Sequence, residues 1–270
     1  MFQLLGENLE DLNLVAGALA LNLAINPEIQ RLRVDIKLRE MCIEAEQALV
    51  HEINDEQRLE QLIHLFYVEW GFQGDTDSYF NSENAFIDYV LESKKGIPVT
   101  LGAIFLHLCE YVNLPVSAIN FPTQLVLKVE WPNQAPLYLN PFDGQYVSTH
   151  LMTAWLIGYG GPLAQILPVH LESIDNPTLI GRLLAVIKTA CIRERKFSFA
   201  LTCSDLALSM VPDDPFEIRD RGLIYQQLHC NDVAKNDLIY FIEQCPNDPS
   251  AMLMKKQVQL LLEQHPTVLH

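Results

Sequence analysis

Cysteine, histidine and clustered carboxylates are the side chains that most readily do chemistry, and in this 270-residue chain they are dispersed. The six cysteines are Cys42, Cys109, Cys191, Cys203, Cys230 and Cys245. None forms a Cys-x-x-Cys pair, and none lies at zinc-finger spacing from a histidine pair. Most sit in apolar helical runs, where a thiol behaves as a small hydrophobe. Free thiols in a reducing cytoplasm are therefore expected. His64 and His107 also fall in apolar helical stretches and read as core or rim residues. No His-x-x-x-His, His-Glu-x-x-His or carboxylate-rich loop occurs, so no metal is expected. Gly160-Gly161 lacks the Lys-Ser/Thr of a phosphate loop, and no cofactor is expected. The densest charge is Glu217, Arg219, Asp220 and Arg221 at the start of a helical segment. It reads as a solvated face or an intramolecular ion pair, or, more sharply, as Arg219 or Arg221 reaching an acidic neighbouring domain or a partner.

The elements that must position these groups follow from periodicity. Apolar residues at helical spacing mark helices over 8–25 (Leu9, Leu12, Ala16, Leu19, Leu23), 28–50 and 55–70. Asn26-Pro27 ends the first helix and Gly71 closes the third. Asn84 is placed to cap a helix through Glu92, and Lys95-Gly96-Ile97-Pro98-Val99-Thr100 makes a tight entry into another that runs to Val112. The period then changes from 3.6 to 2. Residues 116–120, 125–130 and 137–140 read as strands, Asp143-Gly144 as a turn, and Tyr146-Val147 as a short strand. Ser148 or Thr149 caps a helix through Leu156, and Gly158 to Pro162 reads as a loop.

The last third is a repeat. Val211-Pro212-Asp213-Asp214-Pro215 recurs 34 residues later as Cys245-Pro246-Asn247-Asp248-Pro249, with Phe199 in register with Val233 and Ala200 with Ala234. That is the tetratricopeptide period. Helix pairs are expected over 178–194 and 197–211, then 215–229 and 231–244, with a final capping helix over 249–264. Such repeats bind peptides or proteins in a groove, or serve as a structural buttress. The expected division is a helical N-terminus plus α+β core over 1–177 and helical repeats over 178–270. A stack this short is expected to dock on the core.

Composition narrows the partners. Apolar residues make up 49% and charged residues 19% of the chain, so an ordinary core needs no disulfide or metal. The net charge of −16 is concentrated in residues 1–177, which carry 8 Lys and Arg against 23 Asp and Glu. An acidic surface without a basic stripe argues against a nucleic-acid partner and against anionic membranes. It reads as solubility through self-repulsion, or as a face that selects a basic partner. The N-terminal residues have no basic leader pattern, and the apolar run Leu12–Ile25 is too short to span a bilayer.

Four segments carry a family resemblance: Lys95–Gly102, Phe121-Pro122-Thr123-Gln124-Leu125, Asn140-Pro141-Phe142-Asp143-Gly144 and Glu217–Tyr225. The stretch from Lys95 to Gly144 resembles the transglutaminase-like core, related to the papain fold. From about residue 55 onward the chain resembles the bacterial SirB family, in which that core precedes tetratricopeptide-like repeats. The resemblance implies an α+β fold: N-terminal helices, a papain/transglutaminase-like core with a small antiparallel sheet, and C-terminal α-helical repeats.

In that superfamily a Cys-His-Asp triad attacks amides, with the cysteine at a helix start, where the helix dipole lowers its pKa. Carried onto this chain, the nucleophile position falls nearest Pro98, or within two residues at Thr100. The base position is Gln124 and the orienting acid is Asn140. Proline has no nucleophile, and glutamine neither accepts nor returns a proton near neutral pH. Loss of a whole triad costs on the order of 10⁶-fold in a hydrolase. The resemblance therefore implies a non-catalytic protein- or peptide-binding factor with a regulatory role. Thr100, Gln124 and Asn140 would hydrogen-bond a bound peptide, or else simply one another and the main chain. Two alternatives stand beside it. One is a hydrolase or amide-transfer enzyme with a rebuilt site, using Thr100, or His150 as a displaced base. The other is a scaffold whose cleft is vestigial. Cys109, nine residues beyond Thr100, lies about 13 Å along the same helix and reads as a core thiol.

Overall fold

The computed structural model describes residues 12–264 together with the short pieces 3–4 and 7–8, and divides them into two units, Met1–Leu183 and Leu184–His270. Gln3–Leu4 (β1) and Glu7–Asn8 (β2) form a two-residue antiparallel pair. The first helix begins later than the sequence suggests, at Leu14–Ile25 (α1). Asn8 is in a strand, and Leu9 lies outside the described residues. Asn13 sets the start by accepting the Ala16 N–H at 3.0 Å, an N-cap that leaves no helical turn before it.

Arg31–Ala48 (α2) and Asp55–His64 (α3) follow. The expected α-helical turn up to Trp70 is instead a π-turn over Leu65–Glu69, in which the Trp70 N–H reaches the Leu65 carbonyl. It accompanies an aromatic cluster in which Phe66 stacks on Phe72 at 4.3 Å and meets Phe105 edge-on at 5.4 Å. Gln73–Gly74 (β3) pairs in parallel with Lys95–Gly96 (β4). Between them lie a 3₁₀ turn over Ser82–Ala85 and the helix Ile87–Ser93 (α4). Asn84 does not cap α4, whose cap position is Phe86. The fully buried Asn22 of α1 supplies the cap instead. Its Oδ1 accepts the Ile87 N–H at 2.9 Å, while its amide donates to the Ala85 carbonyl.

Pro98–Tyr111 (α5) is apolar nearly all round, and its first eight residues are buried, as a central helix requires. It packs against α1, α2, α4 and the sheet. The sheet is a meander of Val116–Ile119 (β5), Val126–Val129 (β6), Leu137–Asn140 (β7) and Gln145–Tyr146 (β8), all antiparallel. Thr149–Gly160 (α6) packs Met152 and Leu156 against Ile119, Phe121 and Val126. Ser148 caps it, and it extends through the glycines expected to form a loop. The stop comes at Gly161, whose φ of +87° only glycine adopts freely.

Asn176–Arg193 (α7), Phe197–Met210 (α8), Pro215–Gln227 (α9), Asn231–Gln244 (α10) and Ala251–Gln264 (α11) complete the chain. The 34-residue period is visible in the backbone. Arg195 and His229 both take φ near +60° between paired helices. Asp214 accepts the Phe216 N–H at 3.0 Å, and 34 residues later Asp248 accepts the Ser250 N–H at 2.8 Å. Ala200 and Ala234 are both fully buried. Ala234, Leu238 and Phe241 of α10 share a core with Ala251 and Met254 of α11. No described helix is long and apolar enough to cross a membrane.

Candidate functional site

The three segments on which the resemblance places the triad positions converge. A methyl group added at Gly102, in the second turn of α5, would lie 2.4 Å from Leu125 Cδ2 and 3.3 Å from Pro141 Cβ. Leu125 and Pro141 directly follow Gln124 and Asn140, so the absence of a side chain at Gly102 lets helix and sheet close on one another. Next to them, the Gly74 N–H donates to the Phe142 carbonyl at 2.7 Å, and the Phe142 ring covers Gly74 so closely that a Cβ there would sit 2.2 Å from it. Tyr67 donates its hydroxyl to the Pro141 carbonyl at 2.9 Å. Burial, with Asp143 nearby, holds that phenol well above its usual range. Tyr79 contacts both Phe142 and Phe80, and Tyr79 and Phe80 are exposed, giving an aromatic rim. Sequence reasoning missed this rim, because the fold and not local periodicity brings Tyr79, Phe80 and Phe142 together.

Thr100 is not part of an open polar patch. It is fully buried, and its hydroxyl donates to the Asn84 carbonyl at 2.8 Å, with the Ile97 carbonyl a second acceptor at 3.1 Å. The same oxygen accepts the Ile97 N–H at 3.2 Å. This is one half of a capping box; Ile97 has no side-chain acceptor for the other half. Pro98 occupies the first helical position, where its missing N–H is not needed. Asn84 in turn donates to Asp75 Oδ2 at 3.1 Å and to the Ser78 carbonyl at 2.8 Å. Burial pushes the Asp75 carboxyl up, but hydrogen bonds from the Ser78 N–H, Asn84 and the Asp77 N–H outweigh it and hold the carboxyl below its usual range. The chain Asp75–Asn84–Thr100 thus fastens the 75–84 segment to the start of α5.

Asn140 is also buried, and its Oδ1 accepts the Phe142 N–H at 3.1 Å, shaping the turn after β7. Gln124 is half-buried and, among the described residues, its amide has no hydrogen-bond partner. The neighbouring Thr123 Oγ1 is shielded from solvent and equally unpartnered. Thr123 and Gln124 thus keep unmet hydrogen-bonding capacity, as do Asn84 Oδ1 and Asp88 Oδ1, whereas the Thr100 hydroxyl is satisfied.

The other candidates lie elsewhere. Cys109 is fully buried, and burial pushes its thiol far above the usual range; burial likewise pushes the Cys42 thiol up to about 11. Cys191 and Cys203 are buried, Cys245 is half-buried and Cys230 is exposed, none of them in a disulfide. His107 is held by Asn13 at 3.2 Å, and burial lowers its pKa. His64 pairs with Glu69, and His150 is exposed in the first turn of α6. Arg219 and Arg221 have partners inside the repeat unit. Arg221 forks onto Asp237 at 2.8 and 3.0 Å, and Arg219 binds Asp220 and Ser250. Helical stacking at the 34-residue period brings these charges together and satisfies them locally. Beside them Lys188, 8% exposed, bonds Glu217 at 2.7 Å and Asp220 at 3.0 Å. No cluster of three metal-ligating side chains occurs among the described residues.

Residues 33–185 match the model of the transglutaminase-like superfamily, and residues 187–259 match a tetratricopeptide repeat. A UPF0162 protein of Vibrio cholerae is 53% identical over 270 residues, covering the whole of both chains. UPF0162 protein YchA of Escherichia coli K12 is 41% identical over 215 residues, 80% of each chain. Protein SirB1 of Salmonella typhimurium is 38% identical over 226 residues, 84% of each chain. No solved structure matches the chain.

Proposed function

The chain belongs to the SirB1/UPF0162 family of transglutaminase-like proteins with tetratricopeptide repeats, and we propose that it binds a protein or peptide without catalysing a reaction on it. The observation that carries this reading is the first turn of α5. The resemblance puts an activated thiol there; the chain has Pro98, Val99 and Thr100, and the Thr100 hydroxyl is buried against main-chain carbonyls with no titratable base in contact. A threonine in that setting has no group to take its proton. The nearest thiol on the helix, Cys109, is buried and protonated. In place of chemistry, the surface beside it offers the amide of Gln124 and the aromatic rim, groups suited to an extended peptide. The repeats supply a second surface of a type that takes peptide partners.

The reading is tested by incubating the protein with a fluorescent primary amine and a glutamine-bearing acceptor protein, and separately with peptide anilides. The Pro98→Cys/Gln124→His/Asn140→Asp variant runs alongside. Neither transfer nor hydrolysis above the buffer rate is expected of the parent chain. Turnover by the parent that Thr100→Val abolishes would establish a rebuilt active site and end the non-catalytic reading. Capture of partners from bacterial cytosol, parent beside Gln124→Ala, then locates binding. A partner lost only by the variant belongs to the cleft; a partner kept by both belongs to the repeats or the acidic face.

A further inference from the structure

The helix α2 carries apolar residues on two opposite faces, whereas a surface helix needs only one. Val34, Leu38, Met41, Cys42 and Ala45 face the core and are buried. On the far side Leu32, Ile36 and Ile43 are 72%, 50% and 41% exposed, and Val50, in the turn that ends the helix, is 68% exposed. Ile36, Ile43 and Val50 are seven residues apart, and Leu32 lies four before Ile36. Helical periodicity puts all four on one line. Single exposed apolar residues are ordinary; a line of them along about 27 Å of helix marks an interaction surface. Tyr111 of α5 is exposed in the same groove as Ile43 and Arg39 and widens it.

Charge decides what this surface fits. Residues 31–39 hold Arg31, Arg33, Lys37 and Arg39, four of the eight Lys and Arg of residues 1–177, against Asp35 alone. Residues 40–52 hold Glu40, Glu44, Glu46 and Glu52 and no Lys or Arg. No acidic residue lies in the first turn of α2 and no basic one in its last, so the order runs against the helix dipole. Ion pairs within the chain are exposed and weak: Arg31 with Asp35 at 3.6 Å, Arg33 with Glu92, and Lys37 with Glu40 at 3.7 Å. Arg39 and Glu46 are exposed on one flank of the apolar line, and neither makes an ion pair among the described residues. A helix basic in its first half and acidic in its second is complementary to itself turned end for end.

We propose that α2 is a self-association surface, against which a second copy of this chain packs its own α2 antiparallel. Ile43 sits on the dyad against its counterpart. Ile36 of each copy meets Val50 of the other, because both lie seven residues from Ile43. Arg39 of each copy comes level with Glu46 of the other, and antiparallel packing brings the flank that carries both against its own counterpart. The two helix dipoles then run in opposite directions, and basic halves lie on acidic halves twice over. The acidic surface of residues 1–177 resists indiscriminate association. Over residues 31–52 the charges nearly cancel, four Lys and Arg against five Asp and Glu, so two copies can approach there.

The test is analytical ultracentrifugation of the full chain over about 1–100 μM, where the parent should form a reversible dimer. Ile43→Glu puts like charges together at the dyad, on the face turned away from the core. It should keep the parent's circular dichroism and remain a monomer throughout. Arg39→Glu and Glu46→Arg each set like charges across the interface twice, and each should weaken the dimer about tenfold or more. The double variant Arg39→Glu/Glu46→Arg exchanges the signs and should return to within about threefold of the parent. Rescue by two changes in one chain is expected only of a helix that pairs with itself in this register. The proposal is overturned if the parent is monomeric over the whole range, which would leave the stripe to a different protein. It is equally overturned if Ile43→Glu dimerises like the parent, if neither single charge variant weakens the dimer, or if the double variant is no tighter than the singles.

Discussion

Replacing Thr100 by valine tests whether the first turn of α5 is a structural joint or a chemical one. Valine keeps the shape and removes the hydroxyl. Two buried backbone groups then lose their partner: the Asn84 carbonyl at 2.8 Å and the Ile97 N–H at 3.2 Å. An unsatisfied buried polar group costs about 1–3 kcal/mol. The added methyl returns less than about 1 kcal/mol of apolar burial. The net loss is roughly 2–4 kcal/mol, or roughly 5–15 °C in melting temperature for a unit of this size. Thr100→Ser retains both hydrogen bonds and loses only a methyl, about 1 kcal/mol. Urea denaturation followed by circular dichroism, with a separate fit for each unit, measures both variants. A valine variant within about 0.5 kcal/mol of the parent, or serine and valine variants that fall equally, would refute the structural assignment.

Lys188→Met leaves Glu217 and Asp220 side by side without their cation, and should destabilise the repeat unit by about 3–5 kcal/mol in the same assay, with Glu217→Gln added to it recovering part of the loss. Gly144→Ala forces a side chain into a φ of +72° and toward the Tyr67 ring at 2.4 Å, and should cost about 2–4 kcal/mol by urea titration. Burial raises the Asp88 pKa above its ordinary 3.8, so that group's contribution to stability is complete below that value and is lost as pH rises through the folded pKa. Asp88→Asn should therefore match the parent near about pH 3 and exceed it near about pH 7, as melting curves across that range will report.

The helical repeats were legible in the sequence because their determinants are local. Pro215 after Asp214, the recurrence at 34 residues and the 3.6 spacing of apolar positions define each helix before any long-range contact forms. The strands at 116–119, 126–129 and 137–140 were legible for the same reason. Features that depend on a distant partner were not. The π-turn at 65–69 goes with stacking on Phe72 and Phe105, and the start of α4 on an amide from Asn22, more than sixty residues away. Thr100 looked available because the family resemblance placed it at the cleft; the fold buries it and gives its hydroxyl a carbonyl sixteen residues upstream. The partners of Arg219 and Arg221 were equally hidden, since helix stacking delivers Ser250 and Asp237 to them. Periodicity and residue identity are properties of a short stretch of chain. Whether a polar group is met or left unmet depends on what the fold carries to it, and only the tertiary structure decides that.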